Sequence, residues 1–424
     1  MMDILKGFLK EFVSHQVQSL ERQDEARQTS RTCVNFSPII PIRSFPDDSW
    51  FGGNPRLPPE MPWPKKNDRQ MCFACQINVA KLPKELWSGA GPREGWLVVF
   101  LDRETAEPTI IHFTGACEER RGPPQISAGW ARTYSEEFRK AGIFRLPHWP
   151  MQVNVGNIRA RKAAWESQDN IWDDVEPNLS EPEIQPFNTA SLNHLMVALD
   201  EYFVNQFKAL CRLSVLYRLR KEDSDWIVEA KLNAVKSLET FQQVDAALLG
   251  GRLGGFNKDA KFDGERVSST LAMIARLPTY DLQILEKDDE GYCRLKYQHT
   301  VLSDRPRPKA YPSHWWTTYS GHLYWLTLNA YTTNPDLLSA PLRARMERIW
   351  NEDASAFHGA MGHAPEGDVD DEYEGNSNTV VLLELPTSRM QGWIWADCYS
   401  IVFLIDRHAL ARGDFSRVRY NITN

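Results

Sequence analysis

Long apolar runs are missing from this chain of 424 residues, and no run approaches the ~20 apolar positions that a membrane-spanning helix needs. The beginning of the chain also lacks the continuous apolar segment of a secretory signal, because Lys6, Lys10 and Glu11 interrupt its apolar positions. These two absences predict a protein that does not span a membrane and that is located in the cytoplasm.

A surplus of basic residues is missing as well. The 49 Lys and Arg residues are outnumbered by 56 Asp and Glu residues, which gives a formal net charge of -7. A protein that binds nucleic acid needs a basic face for the phosphate groups, so we expect no nucleic-acid partner. Hydrophobic residues make up 42% of the chain and charged residues 25%, values that are typical of a folded globular protein.

The motifs of several common active sites are also missing. There is no G-x-S-x-G nucleophile motif, and the glycine-rich stretch 250–255 lacks the Lys and the Ser or Thr of a phosphate-binding loop. The seven cysteines include one C-x-x-C pair, Cys72 and Cys75, inside an alternating apolar segment. A zinc site would need a second ligand pair and a redox pair would need a helix N-terminus, so we predict reduced, buried thiols. We expect no cofactor.

The first feature that the sequence does contain is an amphipathic helix, predicted over residues 1–30. Its apolar positions recur at helical spacing and are Ile4, Leu5, Phe8, Leu9, Phe12, Val13, Val17 and Leu20. We expect this helix to dock on the body of the protein. Contact with a partner helix or with a membrane surface is the alternative.

The segment Trp50–Gln76 is the organising feature of the N-terminal half. It contains Trp50-Phe51-Gly52-Gly53, five prolines between Pro55 and Pro64, and Trp63. Glycines permit unusual backbone angles and prolines remove hydrogen-bond donors, so we predict an ordered loop through which no helix or central strand runs. Its aromatic residues are expected to pack on a neighbouring sheet. The alternating pattern of residues 71–79 predicts a strand that includes Gln76.

Further strands and helices are predicted from residue spacing. Residues 95–102 and 108–113 predict a β-hairpin in which His112 has a structural role. Two long helices are predicted over 192–216 and 227–248, with Asp225 as the N-cap of the second. A second hairpin is predicted at 280–302 and a further helix at 342–350. The aromatic stretch 314–331 fits a core helix, with a surface for stacking ligands as the alternative.

The strongest candidate for chemistry is the segment around His358 and His363. Two imidazoles with carboxylates nearby, Asp368 among them, are donor types found in divalent-metal sites. The glycines and the proline of this segment indicate a loop, and the histidine spacing differs from the i, i+4 spacing of a metal-binding helix. We therefore interpret the segment first as a solvated loop and keep His358, His363 and Asp368 as metal candidates.

Several of these motifs together resemble the YwqG-like family, an uncharacterised bacterial family. The resemblance rests on the Gly-Gly and Trp-Pro segment with Gln76-Ile77, the turn His358–His363, and Val381–Leu385 with Trp395-Ala396-Asp397. It covers roughly the first third of the chain after the leading helix and the last fifth. Two family glycines are replaced, by Ala396 and Tyr399. The resemblance implies a soluble α+β domain of meandering antiparallel sheets.

The predicted architecture is therefore an α+β protein with antiparallel sheets and a helical insertion. Its segments are an N-terminal helix at 1–30, a β-rich half at 31–186, a mainly helical insertion at 187–350 and a second half at 351–424. We expect the two halves to meet in space as one domain.

Two functional hypotheses remain open. The first is a non-catalytic module that binds a small ligand or a protein through Trp50, Gly52, Gly53, Trp63, Gln76, His358, His363, Trp395 and Asp397. The second is a metal-dependent hydrolase or lyase that uses His358, His363 and nearby carboxylates. The first is favoured because the sequence contains ordered aromatic loops without a catalytic constellation. Whether the chain is an enzyme stays open at this point.

Overall fold

The structure, a computed structural model, divides the chain into two compact units. Unit 1 comprises residues 1–168 and 350–424, and unit 2 comprises residues 169–349. The described residues are 32–43, 45, 48–122, 128–131, 146–155, 179–220, 225–249, 262–287, 293–301, 315–356, 359–362, 378–396 and 399–423. The predicted helix at 1–30 and the glycine-rich stretch 250–255 lie outside them.

The described strands and helices are numbered here in chain order. The strands are β1 (Val34–Pro38), β2 (Ser49–Phe51), β3 (Arg56–Leu57), β4 (Lys65–Lys66), β5 (Arg69–Gln70), β6 (Cys72–Asn78), β7 (Trp96–Leu101), β8 (Pro108–Phe113), β9 (Glu118–Glu119), β10 (Trp149–Val155), β11 (Pro278–Lys287), β12 (Cys293–Val301), β13 (Gly359–Met361), β14 (Thr379–Pro386), β15 (Ser400–Asp406) and β16 (Arg419–Ile422). The α-helices are α1 (Thr189–Arg220), α2 (Asp225–Leu249), α3 (Gly264–Ile274), α4 (Trp315–Thr333), α5 (Ala340–Ala356) and α6 (Arg407–Ala411). Short 3-10 helices occupy Val79–Lys81, Leu86–Gly89, Pro335–Leu337 and Phe415–Arg417.

Unit 1 is built on a ten-stranded sheet in the order β16-β15-β14-β13-β1-β10-β2-β6-β7-β8. Neighbouring strands pair antiparallel throughout it. The pairing of β1 with β13, in which Val34 lies opposite Met361, places strands from both ends of the chain in one sheet. Antiparallel sheet with separate helices confirms the predicted α+β class.

The predicted first hairpin is confirmed as β7 and β8, which pair from Trp96 opposite Phe113 to Leu101 opposite Pro108. His112 on β8 has the structural role that its position predicts. Its Nε2 lies 2.8 Å from the carbonyl oxygen of Glu94, and its ring lies 6.2 Å from that of Phe415. The imidazole therefore ties the hairpin to the chain before it and to the C-terminal 3-10 helix.

One part of the prediction for the N-terminal loop is wrong, because a central strand does begin there. β2 lies between β10 and β6, and its Trp50 and Phe51 are both buried. The glycines and prolines that argued against a strand come only after Phe51. Between Gly52 and Pro64 the chain forms only the two-residue strand β3, which pairs with β9 outside the large sheet.

The two aromatic residues of β2 point to opposite faces of the sheet, because successive strand residues alternate. Trp50 joins one apolar cluster, and Met61 and Trp63 pack at its border as predicted. The buried members of this cluster are Trp50, Leu57, Met71, Phe73, Val98, Phe100 and Phe113. Phe51 instead contacts Phe36 and Trp393, at ring distances of 5.7 and 6.3 Å. We call the two sides the Trp50 face and the Phe51 face.

The predicted loop between His358 and His363 also requires correction, because residues 359–361 form the sheet strand β13. Gly359 lies within the strand and packs closely, because a Cβ there would lie 3.0 Å from Phe51 Cζ. Gly362 has a φ of +87°, and a Cβ there would lie 2.7 Å from the Thr32 carbonyl oxygen. Both glycines thus serve close packing at the end of the strand.

Unit 2 is mainly helical, and its helices match the predicted ones closely. α1 packs against both α2 and α4. α2 begins at Asp225, which is its first helical residue, and the residue before it lies outside the described ones, so the N-cap assignment stays a prediction. A small core of Leu210, Ala230 and Ala234 joins α1 to α2. The predicted second hairpin is present as β11 and β12, which pair from Pro278 opposite Val301 to Lys287 opposite Cys293.

The aromatic stretch of unit 2 is core helix rather than a stacking surface. α4 buries its large rings, and Trp315, Trp316, Tyr319, Tyr324 and Tyr331 are each at most 1% exposed. Two hydroxyls fix it in place: Tyr319 donates to the Ile184 carbonyl oxygen at 3.0 Å, and Tyr331 donates to Glu347 at 2.7 Å. Among the described helices, none combines the length and apolarity that crossing a membrane requires.

Candidate functional site

The Gly-Gly segment after β2 is held by main-chain contacts on two sides. Gly52 N–H donates to the Ala74 carbonyl oxygen at 2.8 Å, and Gly53 N–H donates to that of Leu146 at 2.9 Å. Gly52 has a φ of +67°, and a Cβ there would lie only 2.0 Å from the Pro147 carbonyl oxygen. Glycine is needed here because two backbones approach closely, which is a requirement of the fold.

Gln76 is fully buried, and its amide holds the chain after the Gly-Gly segment. The amide oxygen accepts from Arg56 N–H at 2.8 Å, and the amide nitrogen donates to the Arg56 carbonyl oxygen at 3.0 Å. One side chain therefore satisfies both main-chain groups of one residue in the loop. This arrangement explains why a polar residue lies opposite Trp50 in the sheet.

The two tryptophans of this segment use their indole groups in a similar way. Trp50 Nε1 donates to the Asn54 carbonyl oxygen at 3.1 Å, and Trp63 Nε1 donates to that of Met71 at 3.0 Å. The Trp63 ring also packs edge-on against Phe100, with 5.2 Å between centroids. These side chains fold the proline-rich loop onto the Trp50 face of the sheet.

A half-buried polar group surrounds Trp50, and the sequence did not indicate it. His148 lies 6.2 Å from the Trp50 ring, and the Arg56 guanidinium carbon lies 5.2 Å from it. Burial lowers the pKa of His148, the positive Arg56 lowers it further, and Glu119 acts in the opposite direction. The ring is therefore neutral at pH 7, and a cation–π contact with Arg56 covers the indole.

The cysteine pair behaves as predicted. Cys72 and Cys75 lie in β6 and are buried without forming a disulfide. Burial raises the pKa of the Cys72 thiol to about 12 and raises that of Cys75 as well. Both groups are protonated and unreactive at neutral pH, as structural thiols are.

A second aromatic site is formed by residues 387–396, which we call the tryptophan loop. Its turn is closed by main-chain bonds from Ser388 N–H to the Trp393 carbonyl oxygen at 3.1 Å and from Gly392 N–H to that of Ser388 at 2.9 Å. The loop is tied to the short segment 128–131 by Ile394 N–H, which donates to the Trp130 carbonyl oxygen at 2.8 Å.

Four aromatic rings connect the tryptophan loop to the Phe51 face. Phe51 and Trp393 are 6.3 Å apart, Trp393 and Trp395 are 5.8 Å apart, and Trp395 and Trp130 are 5.3 Å apart. Trp50 packs on the other face. Of the residues predicted from sequence, Trp50 and Trp395 therefore lie in separate aromatic groups.

The tryptophan loop contains buried polar atoms that have no hydrogen-bond partner. They are both amide atoms of Gln391, which is fully buried, and the indole nitrogen of Trp395, which is 1% exposed. The neighbouring Trp393 provides a contrast, because its indole nitrogen donates to the Pro386 carbonyl oxygen at 2.9 Å. Leaving a buried polar group unpaired costs roughly 1–3 kcal/mol, so three such atoms in one loop require an explanation.

The end of the tryptophan loop supports a stability prediction. Ala396 is exposed and has a φ of +44°. Left-handed backbone costs a non-glycine residue about 1–2 kcal/mol, and glycine loses roughly 0.4–1 kcal/mol through unfolded-chain entropy. We expect Ala396→Gly to raise the free energy of unfolding by roughly 0.5–1 kcal/mol, measured by urea unfolding.

Ala90 is the matched control for that substitution, because its φ of -74° suits alanine. Ala90→Gly should lower the free energy of unfolding, since there is no backbone strain at Ala90 to relieve and glycine adds conformational entropy to the unfolded chain. Equal effects of the two substitutions would contradict a strained backbone at Ala396.

Four of the residues predicted from sequence lie outside the described residues: His358, His363, Asp368 and Asp397. Among the residues that are described, no group of three or more His, Cys, Asp or Glu side chains is placed to hold a metal ion. Trp50, Gly52, Gly53, Trp63 and Gln76 are described, and each makes the fold contacts given above.

Sequence reasoning missed Gln391, Trp393 and Trp130 in the tryptophan loop and its support. Trp393 and Trp130 carry a signal of their own, because tryptophans outside a predicted element usually pack in a core. Gln391 carries none: a single glutamine before a glycine is typical of an exposed turn.

Comparison with known proteins identifies a family for this chain. No curated protein matches the chain. A family match runs from residue 49 to residue 423, so it also covers the helical region between the two ends to which the resemblance had been confined. The chain belongs to the family described as "Domain of unknown function (DUF1963)".

Proposed function

We propose that this protein is a non-catalytic binding module and that the tryptophan loop, together with Trp130, is its ligand site. The single observation that carries the proposal is the set of unpartnered buried atoms on Gln391 and Trp395. A ligand that supplies hydrogen bonds to these atoms would recover free energy that the free protein lacks. Trp395 is the sequence-predicted binding residue that this proposal retains.

The surrounding rings support a binding role. Trp130, Trp393 and Trp395 are rigid and mostly apolar, and rigid aromatic side chains offer large contact areas at a small entropic cost. Hydrogen bonds fix their positions. The Trp130 indole nitrogen donates to the Asp102 carbonyl oxygen at 2.9 Å, and the main-chain N–H of Trp395 donates to Thr387 Oγ1 at 2.9 Å. These hydrogen bonds hold the rings together as one aromatic group.

The metal-dependent hydrolase or lyase is the alternative, and it depends on His358, His363 and Asp368. No observation on the described residues favours it over binding. The assignment to the YwqG-like family, the insertion at 187–350 and the cytoplasmic location are likewise predictions from the sequence.

The proposed site can be tested through the indole N–H resonances of isotope-labelled protein. We expect the Trp395 resonance, assigned with Trp395→Phe, to shift when the protein is titrated with members of three classes: blocked amino acids, monosaccharides and nucleobases. The Trp393 resonance is the internal control, because its N–H is already bonded to Pro386 and should respond less. If the Trp395 resonance shifts with none of the three classes at millimolar concentration, the proposed site is wrong.

A further inference from the structure

Among the described residues of unit 1, two glutamines are fully buried, and they are in opposite states. Gln76 and Gln391 are both 0% exposed. The Gln76 amide is paired at both its oxygen and its nitrogen, whereas the Gln391 amide is paired at neither. The protein itself therefore shows which kind of group completes a buried glutamine amide.

The partner of Gln76 is the main chain of one residue. Arg56 gives its N–H to the amide oxygen and its carbonyl oxygen to the amide nitrogen, at 2.8 and 3.0 Å. An extended chain presents this same pair, N–H and C=O of one residue, along its edge. An extended peptide is thus a natural complement for the side-chain amide of glutamine.

The main-chain N–H of Gln391 donates to Ser388 Oγ at 3.2 Å, and the atoms without partners are the two polar atoms of its side chain. The amide nitrogen needs an acceptor and the amide oxygen needs a donor. An anion would leave the oxygen without a donor, and a metal ion would leave the nitrogen without an acceptor. A neutral group with both functions, such as an amide, satisfies the two atoms together.

Trp395 extends this requirement. Its indole N–H is a further donor without an acceptor, and it lies in the same loop. A peptide carries a carbonyl group at every residue, so it can give the Gln391 amide nitrogen and the Trp395 indole one acceptor each, without both donors having to converge on one oxygen. The combination therefore favours a peptide over an isolated amide.

We propose that Gln391 binds the main-chain N–H and C=O of one residue in an extended peptide segment, as Gln76 binds those of Arg56. The Trp395 indole donates to another carbonyl oxygen of the peptide, and the neighbouring tryptophan rings contact its apolar side chains. This inference rests on the proposed binding function and names its ligand class. Since Gln391 and Trp395 are buried, the loop has to open first, and association is slower than at an exposed site.

The test uses N-acetylphenylalanine methylamide as the probe and full-length protein with labelled tryptophan indoles. We expect the probe to shift the Trp395 resonance. Its analogue methylated on the phenylalanine nitrogen lacks the donor for Gln391, so it should bind about tenfold more weakly, as expected for one lost hydrogen bond. Gln391→Leu should weaken binding of the unmethylated probe by at least about tenfold.

The Gln391→Leu variant is expected to remain folded, which makes it suitable for this test. Leucine removes two unpartnered polar atoms and keeps a similar volume, so Gln391→Leu should unfold at the same or a higher urea concentration than the wild type. If the variant does not fold, the methylated probe on the wild-type protein still decides the question. A buried water molecule on Gln391 is the competing explanation, and it predicts that probe binding is indifferent to both changes.

Each outcome has a separate meaning. Equal binding of the methylated and unmethylated probes, or unchanged binding to Gln391→Leu, overturns the inference. Nicotinamide has an amide but no second carbonyl group, so it must bind more weakly than N-acetylphenylalanine methylamide. Equal affinity of the two compounds overturns the assignment of a peptide ligand. A Trp395 response to monosaccharides or nucleobases alone overturns this inference and leaves the proposed function standing, whereas no response to any compound overturns both.

Discussion

Gly52→Ala is expected to lower the free energy of unfolding by roughly 4 kcal/mol or more, or to prevent unit 1 from folding. A Cβ at this position would lie 2.0 Å from the Pro147 carbonyl oxygen, far inside any van der Waals contact. The backbone cannot easily move away, because Gly52 and Gly53 N–H groups are bonded to Ala74 and Leu146. The φ of +67° adds strain for any L-residue. Urea unfolding and soluble yield measure the effect.

Gly413→Ala separates the clash from the backbone strain. Gly413 has nearly the same φ, +68°, but nothing lies within 4 Å of its Cβ position. It should therefore lower the free energy of unfolding by only about 1 kcal/mol. If Gly52→Ala proved no worse than this control, the close approach of residues 146–148 to the Gly-Gly segment would be wrong.

Unit 2 is expected to lose stability as the pH falls, because it contains a stacked pair of histidines. His194 of α1 and His322 of α4 stack with 4.2 Å between ring centroids. Burial, and next the charge of His322, lower the pKa of His194 from 6.5 to about 4. The unfolded chain therefore binds the proton first as the pH falls. Stability is complete above pH 6.5 and should be lost progressively down to about pH 4, by about 3 kcal/mol in total.

The measurement is urea unfolding at several pH values, followed by far-ultraviolet circular dichroism, because the long described helices belong to unit 2. His194→Phe keeps a ring against His322 and removes the titrating group. Its stability should fall by about 3 kcal/mol less than that of the wild type between pH 7 and pH 4. His408→Gln, at an exposed histidine of unit 1, is the control. Parallel pH curves for the wild type and His194→Phe would refute the prediction.

The elements that sequence spacing predicted correctly are those whose pattern is local. Trp96–Leu101 and Pro108–Phe113 form the predicted hairpin, and α1 and α2 cover the predicted apolar stripes. In each case a run of β-branched residues or a helical period is long enough to select one structure. The buried rings of α4 followed from the same periodicity.

Two segments predicted as loops contain strands, because these strands are short and are stabilised by partners outside the segment. β2 has three residues and lies between β10 and β6, while β13 has three residues and lies between β1 and β14. Pairing on both sides stabilises such strands, and no local pattern records it. The adjacent glycines were interpreted as loop signals, although Gly359 packs within a strand.

The candidate site was only partly predictable for a related reason. Trp395 is conspicuous in the sequence because it is aromatic, but the burial of Gln391 depends on the turn that Ser388 and Trp393 close. Gln76 and Gln391 are the same residue type, and they differ because main-chain groups of Arg56 bond to the first amide whereas the second has no hydrogen-bond partner. Hydrogen-bond satisfaction is a property of tertiary structure, so it cannot be read from residue type alone.

The pairing of β1 with β13 has a consequence for how the protein is made. About 320 residues separate these two strands, and both β10 and the whole of unit 2 are synthesised between them. At roughly 5–20 residues per second, translation brings β13 to the ribosome roughly 20–60 s after β1. Before β13 is made, β10 is the only one of the two sheet neighbours of β1 that can have been synthesised, so the other edge of β1 lacks the strand that pairs with it in the folded protein. Biosynthesis of this protein therefore includes a period in which the growing sheet has an open edge that β13 later closes.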